Sequence, residues 1–286
     1  MPATILMFIP GNPGIVDYYG PFFTALKEHH KQLQIYAYNH VGFTSNPTKS
    51  LKLPPHQINL DAQIAHAIDR FDALLLAHKG SAGSQQPQIY LAGHSVGAYI
   101  ACKVLEARPD VVQRIYLLTP TLTEIALSPQ GRLLTPCSHI PGFLQLVAGF
   151  VWLWTSLLPQ QYRLKFIAWW TGFSKEAVRV TTDSVVQPGN VYTGLVLGAS
   201  EMTDIRSPDA KFWRKYGKRC SAYWVMRDHW IHEASRDQLL ADTRIESYFC
   251  KRANHAFCVR HSEIVADVVA GWLGRDLAMK FADELH

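Results

Sequence analysis

Short apolar runs alternate along this chain with longer stretches whose apolar residues recur at helical spacing. Residues 5–9, 34–38, 88–92, 114–118, 221–226 and 246–250 read as strands, each a brief run rich in β-branched, aromatic or aliphatic side chains. Between them, helices are expected near 18–30, 60–78, 98–107, 235–241 and 261–283. A β-α-β-α order of this kind predicts an α/β fold with a mostly parallel, doubly wound sheet and helices on both faces. The Gly-, Ser- and Gln-rich stretch 79–87 reads as a surface connector.

One region breaks the rhythm. Residues 121–219 contain no clear strand, and 140–162 contain no charged residue. Pro141 and Pro159 bracket seventeen uncharged positions, just short of the roughly 20 residues needed to span a hydrocarbon core. A second run, 162–170, sets Arg163 and Lys165 beside Phe166, Ile167, Trp169 and Trp170. Two proline-joined helices rich in Trp and Phe suit an apolar cap lying in a lipid interface over residues 142–170. An ordinary hydrophobic lid folded over a pocket would read the same way.

Gly93-His94-Ser95-Val96-Gly97 stands where the strand 88–92 meets the helical run after it. A Gly-x-Ser-x-Gly at such a junction is the nucleophile elbow of an α/β-hydrolase fold. The glycines keep Cβ atoms out of a cramped turn that lifts the serine hydroxyl into the open. The N-terminus of the following helix then aims its free N–H groups at any oxyanion formed there.

A serine hydroxyl needs a base within hydrogen-bond reach, and in this fold the partners follow in the order Ser, acid, His. Asp228 leaves the end of the strand 221–226, and His255 lies in the loop after the last strand, so Ser95, Asp228 and His255 are the expected nucleophile, acid and base. Asp204 and Asp183, in the strandless region, are weaker candidates for the acid, and His94 reads as a packing residue. Asp228, His229 and His232 form a D-H-x-x-H cluster, but no third pre-oriented ligand accompanies them, so no metal and no cofactor are expected. Pro10-Gly11-Asn12-Pro13-Gly14 follows the first strand, where ligands collect in such sheets. Proline has no N–H, so the oxyanion donors expected are Asn12 and Val96.

Composition adds bounds rather than chemistry. The chain has 286 residues, enough for one large core, so residues 1–286 are expected to form a single domain with 121–219 as a cap insertion. A formal net charge of +5 does not call for a nucleic-acid partner. Residues 211–219 interleave Lys and Arg with Phe212, Trp213 and Tyr216, which reads as a solvated helix face and could also meet anionic headgroups. Five scattered cysteines without C-x-x-C spacing read as reduced thiols of a cytosol-facing protein. The N-terminus lacks the basic region of a cleavable signal.

With these residues in view, the chain resembles the lipid droplet-associated hydrolase family of α/β-hydrolases. The matching pieces are Ile9-Pro10-Gly11-Asn12-Pro13-Gly14 with Tyr18-Tyr19, Gln63-Ile64-Ala65-His66, the elbow, Ser128-Pro129-Gln130-Gly131-Arg132, Asp228-His229-Trp230 and His255-Ala256-Phe257. The resemblance implies a serine hydrolase on the cytosolic face of lipid droplets and endoplasmic reticulum, with the apolar insertion as targeting element. It carries the nucleophile, acid and base onto Ser95, Asp228 and His255. The chain departs from the family in opening directly on the strand before Pro10. It also has Val225-Met226-Arg227 where the family tends to have glycine before the acid, and His232 where a proline follows it. The expected activity is cleavage of carboxylic esters of lipids, of the sterol ester or acylglycerol type. Its alternatives are a droplet-surface tethering protein with a vestigial site, or a soluble small-ester or thioester hydrolase.

Overall fold

In the computed structural model, which describes residues 3–46, 53–78 and 86–284, six strands form one parallel sheet. They are β1 (Thr4–Ile9), β2 (Gln34–Ala37), β3 (Gln88–His94), β4 (Val112–Leu118), β5 (Cys220–Val225) and β6 (Glu246–Cys250). Their order is β2-β1-β3-β4-β5-β6, and every neighbouring pair is parallel. The chain winds outward from β1 to β2, then returns to lay β3 on the other side of β1. Loops leaving β1 and β3 therefore diverge, opening the crevice in which such sheets bind ligands.

Alternate strand residues feed two separate cores. Ile5, Met7 and Ile9 of β1 face one core with Ile89 and Leu91 of β3, Ile115 and Leu117 of β4, and Ala222 and Trp224 of β5. That core is closed by α2 (Leu60–His78), α3 (Val96–Ala107) and α10 (Glu233–Asp242), through Phe71, Val104 and Leu239. Leu6, Phe8, Tyr90, Tyr116 and Tyr223 face the other, closed by α1 (Gly20–His29) and α11 (Ser262–Glu284). Burial on both faces is why the middle stretches of these strands are continuously apolar, and it is the dominant favourable term, about 1.5–3 kcal/mol for each large apolar side chain.

The expected elements are present with shifted edges. The helix expected over 18–30 is a tight turn, Val16–Tyr19, followed by α1, with Pro21 tolerated in the first helical turn. Strand β4 starts at Val112 rather than at 114, because Val112 already pairs with Ile89. The connector expected over 79–87 lies largely outside the described residues. The five cysteines are free thiols.

Between β4 and β5 the chain forms α4 (Pro129–Ser138), α5 (Phe143–Leu157), α6 (Gln160–Thr171), α7 (Lys175–Val180), α8 (Pro188–Asp204) and α9 (Ala210–Tyr216), with no strand among them. Helix α5 packs against α8 through one stripe and leaves its opposite stripe uncovered: Leu146 is 69% and Phe150 67% exposed. Trp169 and Trp170 of α6 are likewise 79% and 71% exposed. Among the described residues no single helix is long and apolar enough to cross a membrane. Helices α4 and α5 together meet the length and composition, but they are bent by 97°. Helix α9 buries Phe212, Trp213 and Tyr216 and exposes Lys211, Arg214 and Lys215, the solvated face expected of the basic run.

Candidate active site

The elbow is shaped by what cannot fit around it. A Cβ on Gly93 would collide with the Gly97 carbonyl, and one on Gly97 with the carbonyls of Ile9 and Pro10. These contacts let α3 begin at Val96, closer to the strand end than its apolar pattern suggests. Ser95 sits between them at φ 54°, ψ −123°, a region that non-glycine residues rarely adopt and that costs about 1–3 kcal/mol. Its N–H donates to the Leu118 carbonyl at 3.0 Å, pinning the turn to β4.

Asp228 and His255 arrive from the ends of β5 and β6. His255 Nδ1 donates to Asp228 Oδ2 at 2.7 Å, and Ser95 Oγ lies 2.9 Å from His255 Nε2. With Nδ1 carrying the proton toward a carboxylate, neutral His255 leaves Nε2 as the acceptor for the serine hydroxyl. The Trp230 N–H donates to Asp228 Oδ1 at 2.9 Å, so both carboxylate oxygens have partners. The His255 carbonyl accepts from His94 Nε2 at 2.9 Å and Thr119 Oγ1 at 3.1 Å, which fixes the loop.

His94 is more than packing. Its Nε2–H bond to a carbonyl leaves Nδ1 to accept from the Tyr19 hydroxyl at 2.6 Å, and Tyr19 in turn accepts from the Gly11 N–H at 3.0 Å. Burial, reinforced by the neighbouring His255 ring, pushes His94 down to about 3, so it stays neutral across the physiological range. His94 thus ties the loop after β1 to the loop that carries His255.

Asn12 and Ser95 line one cavity of about 390 Å³, within the range of small-molecule sites. In the loop after β1, Pro10 and Pro13 lack an N–H and Gly11 spends its own on Tyr19; of the two residues left, Asn12 lines the cavity and Gly14 does not. Val96 is the first residue of α3, so its N–H has no partner within the helix. The Asn12 side chain points elsewhere: Nδ2 donates to the Gly194 carbonyl at 2.9 Å and to Glu201 Oε1 at 3.0 Å, both on α8.

The remaining candidates lie apart. Asp204 accepts from Ser200 at 2.9 Å near the exposed end of α8, and Asp183 accepts from Gln160 at 2.7 Å; neither lines the Ser95 cavity. His232 Nδ1 lies 2.8 Å from Ser235 Oγ, and among the described residues no cluster of three His, Cys, Asp or Glu could hold a metal ion. Sequence reasoning missed Glu201. A helical stripe of Thr193, Val196, Leu197, Glu201 and Met202 in a segment otherwise uncharged from 184 to 200 is the signal that could have found it.

The family model for lipid-droplet associated hydrolases matches residues 2–258. A lipid droplet-associated hydrolase of Mus musculus is 26% identical over 287 residues, covering 95% of this chain and 85% of its own. Among solved structures, a haloalkane dehalogenase from Agrobacterium tumefaciens superposes with a TM-score of 0.69 at 17% identity, over 96% of this chain and 91% of its own. A peroxisomal α/β-hydrolase from Saccharomyces cerevisiae gives 0.66 at 12% identity, over 94% and 76%. At such identities the structural likeness speaks to the fold alone, and that fold is the α/β-hydrolase one. The match across nearly the whole chain establishes more: the chain belongs to the lipid-droplet associated hydrolase family.

Proposed function

We propose that this hydrolase cleaves carboxylic esters of lipids at a lipid droplet surface through an acyl-enzyme on Ser95. The observation that carries this reading is the Ser95–His255–Asp228 hydrogen-bond relay opening into a cavity whose walls are largely apolar. Ser95 Oγ attacks the ester carbonyl while His255 Nε2 takes its proton, and Asp228 stabilises the resulting imidazolium. The tetrahedral oxyanion is held by the N–H groups of Asn12 and Val96. Collapse breaks the bond to the alcohol, which leaves with the proton from His255. Water, deprotonated by His255, then hydrolyses the acyl–Ser95 ester.

In this reading residues 121–219 form a cap within one domain, and the cap brings the substrate. Phe143 and Leu144 line the cavity, while Leu146 and Phe150 of the same helix face outward. A helix so largely apolar belongs in a core or in lipid, and no residue of α5 is fully buried in the protein. Exposed Trp169 and Trp170, with Arg163 and Lys165 close by in sequence, suit a headgroup boundary. The relatives' name, lipid droplet-associated hydrolase, supports the same surface, and we assign the protein to the cytosolic face of droplets and endoplasmic reticulum.

Fluorophosphonate labelling followed by peptide mapping tests the reading. The label is expected on the peptide carrying Ser95 and is lost in Ser95→Ala. A folded wild-type protein that takes no label would point instead to a tethering protein with a vestigial site.

A further inference from the structure

The cavity that holds Ser95 contains an acidic group that the hydrolytic steps do not use. Glu201, on α8, is 4% exposed and lines the cavity with Ser95, Asn12 and His255. Among the described residues its carboxyl has one hydrogen-bond partner, Asn12, whose Nδ2 donates to Oε1. No Lys or Arg lines the cavity. The other hydroxyl and imidazole groups nearest the reacting serine have partners: Tyr19 binds His94, Tyr18 lies 2.6 Å from Thr181, and Ser95 and His255 face each other. Glu201 therefore stands out as an almost fully buried residue whose second carboxyl oxygen has no partner among the described residues and is open to a mainly apolar cavity.

Its position relative to the reacting serine is set by two adjacent residues. A Cβ built on Gly11 would lie 3.1 Å from Ser95 Cβ, and the next residue, Asn12, binds Glu201. An ester held at Ser95 thus shares its cavity with a hydrogen-bond acceptor anchored through Asn12.

We propose that Glu201 is a specificity-determining acceptor for a free hydroxyl on the substrate. The enzyme then selects lipid esters that retain a hydroxyl, of the partially acylated glycerol type, over esters whose only polar group is the ester itself. This rests on reading the site as a lipid ester hydrolase and narrows the substrate class. A site built around a buried acceptor discriminates strongly against the analogue that cannot donate to it, because the acceptor is then left unpaired.

Burial raises the Glu201 carboxyl to about 7, with the Asn12 hydrogen bond opposing that shift. Both forms accept from a hydroxyl, and the carboxylate does so more strongly. The other titratable groups on the wall are Tyr18, Tyr19, His94, His255, Cys137 and Cys258. Burial holds Tyr18, Tyr19 and Cys258 up and His94 down, so these four remain neutral between pH 6 and 8.

The test is binding, measured without turnover in Ser95→Ala protein by calorimetry. The ligands are 1-O-dodecylglycerol, which has two free hydroxyls and no ester, and its 2,3-di-O-methyl derivative, which has neither hydroxyl. Protein with Glu201 is expected to prefer the hydroxylated ligand by about tenfold or more at pH 8. Glu201→Met should erase that preference by weakening the hydroxylated ligand alone. Glu201→Gln still accepts and should keep a preference, but one that no longer grows from pH 6 to 8 as it does with Glu201. If the Met protein fails to fold, the comparison of Gln and Glu across pH decides by itself. An equal preference in the Glu and Met proteins overturns the proposal. So does a parallel loss for both ligands, which would make Glu201 a support for the Asn12 loop, and so does a pH dependence shared by Glu and Gln. Failure of the hydrolase reading would appear separately, as absence of fluorophosphonate label on Ser95.

Discussion

Strand β3 and helix α5 are both apolar segments without a single charged residue, yet all seven residues of β3 are buried and none of the fifteen in α5 is. The two faces of β3 are taken up by the two cores of the molecule, and nothing of the strand is left over for another partner. Helix α5 gives one stripe to α8 and the cavity and leaves the other outward. Apolar composition therefore marks two different things here: packing that the protein consumes, and apolar surface that it leaves exposed. The buried segment leads into the serine, and the exposed one borders the cavity in front of it.

The sharpest way to break this comparison is at the relay that β3 supports. In such a unit the base matters nearly as much as the nucleophile, so His255→Ala should lower kcat by about 10⁵–10⁶-fold, and Asp228→Asn by about 10⁴-fold through the wrong tautomer. Asp204→Asn, outside the cavity, should stay within about threefold in the same ester assay. Circular dichroism should show all three folded. A dead Asp204→Asn with an active Asp228→Asn would relocate the acid.

The elbow should be as intolerant sterically as it is chemically. Gly97→Ala sets a methyl group against the Ile9 and Pro10 carbonyls, so α3 must move off the end of β1. Losing that packing should cost about 3 kcal/mol or more, seen as a fall in Tm and loss of fluorophosphonate labelling. A Gly97→Ala protein with wild-type stability and labelling would mean that the turn is not held by this contact.

On the other side of the comparison, Leu146→Asp with Phe150→Lys removes two outward apolar side chains from α5. Each contributes about 1.5–3 kcal/mol when buried in lipid, so binding to phospholipid-coated triacylglycerol emulsions should fall by at least about 100-fold. Tm should move little, because neither side chain is buried in the protein. A short soluble ester should still be cleaved. Unchanged emulsion binding would move the lipid contact to another surface, with the basic face of α9 next in line.

The same contrast explains what the sequence reveals and what it hides. Short apolar runs at β1, β3, β4 and β5 are local features of the sequence, so the sheet, the elbow and the loops carrying Asp228 and His255 are readable from their order and spacing alone. Strand edges are not, since Val112 joins β4 only because Ile89 lies opposite. The apolar helices of residues 142–170 are readable, and so is a lid over a pocket, but not which side chains of the region form its wall. The role of α8 depends on Asn12 meeting Gly194 and Glu201 across more than 180 positions of chain, and no local pattern encodes that contact. His94 is a similar case: its partners Tyr19 and the His255 carbonyl come together only in the folded sheet.

Glu201 lies where the two regimes meet, and its burial should be visible as a pH-dependent stability. Its folded-state pKa is raised to about 7 from an ordinary 4.5. Below that ordinary value the carboxyl is protonated whether folded or not, and it carries no penalty. As pH rises toward 7 the unfolded chain releases its proton first, so the folded state is progressively disfavoured; above 7 the penalty is constant. Glu201→Gln keeps the acceptor for Asn12 and removes the titration. Its stability advantage over wild type should be near zero at pH 4.5 and grow to about 3 kcal/mol by pH 8 in urea unfolding. An advantage independent of pH would show that the carboxyl is solvated in solution.

The smallest expected effect pairs with the elbow glycine. Gly149 lies in the middle of α5, and a Cβ built there meets nothing within 4 Å. Glycine inside a helix is worse than alanine by about 0.5–1 kcal/mol, because it loses more conformational freedom on folding. Gly149→Ala should therefore raise stability by up to about that amount, with labelling of Ser95 unchanged. The identical substitution thus takes opposite signs in the two apolar regions, destabilising where the protein has filled the space and stabilising where it has not. If Gly149→Ala instead lowers Tm by several degrees in lipid-free protein, the outer stripe of α5 is packed against protein in solution. The cap would then be a closed lid rather than a surface waiting for lipid.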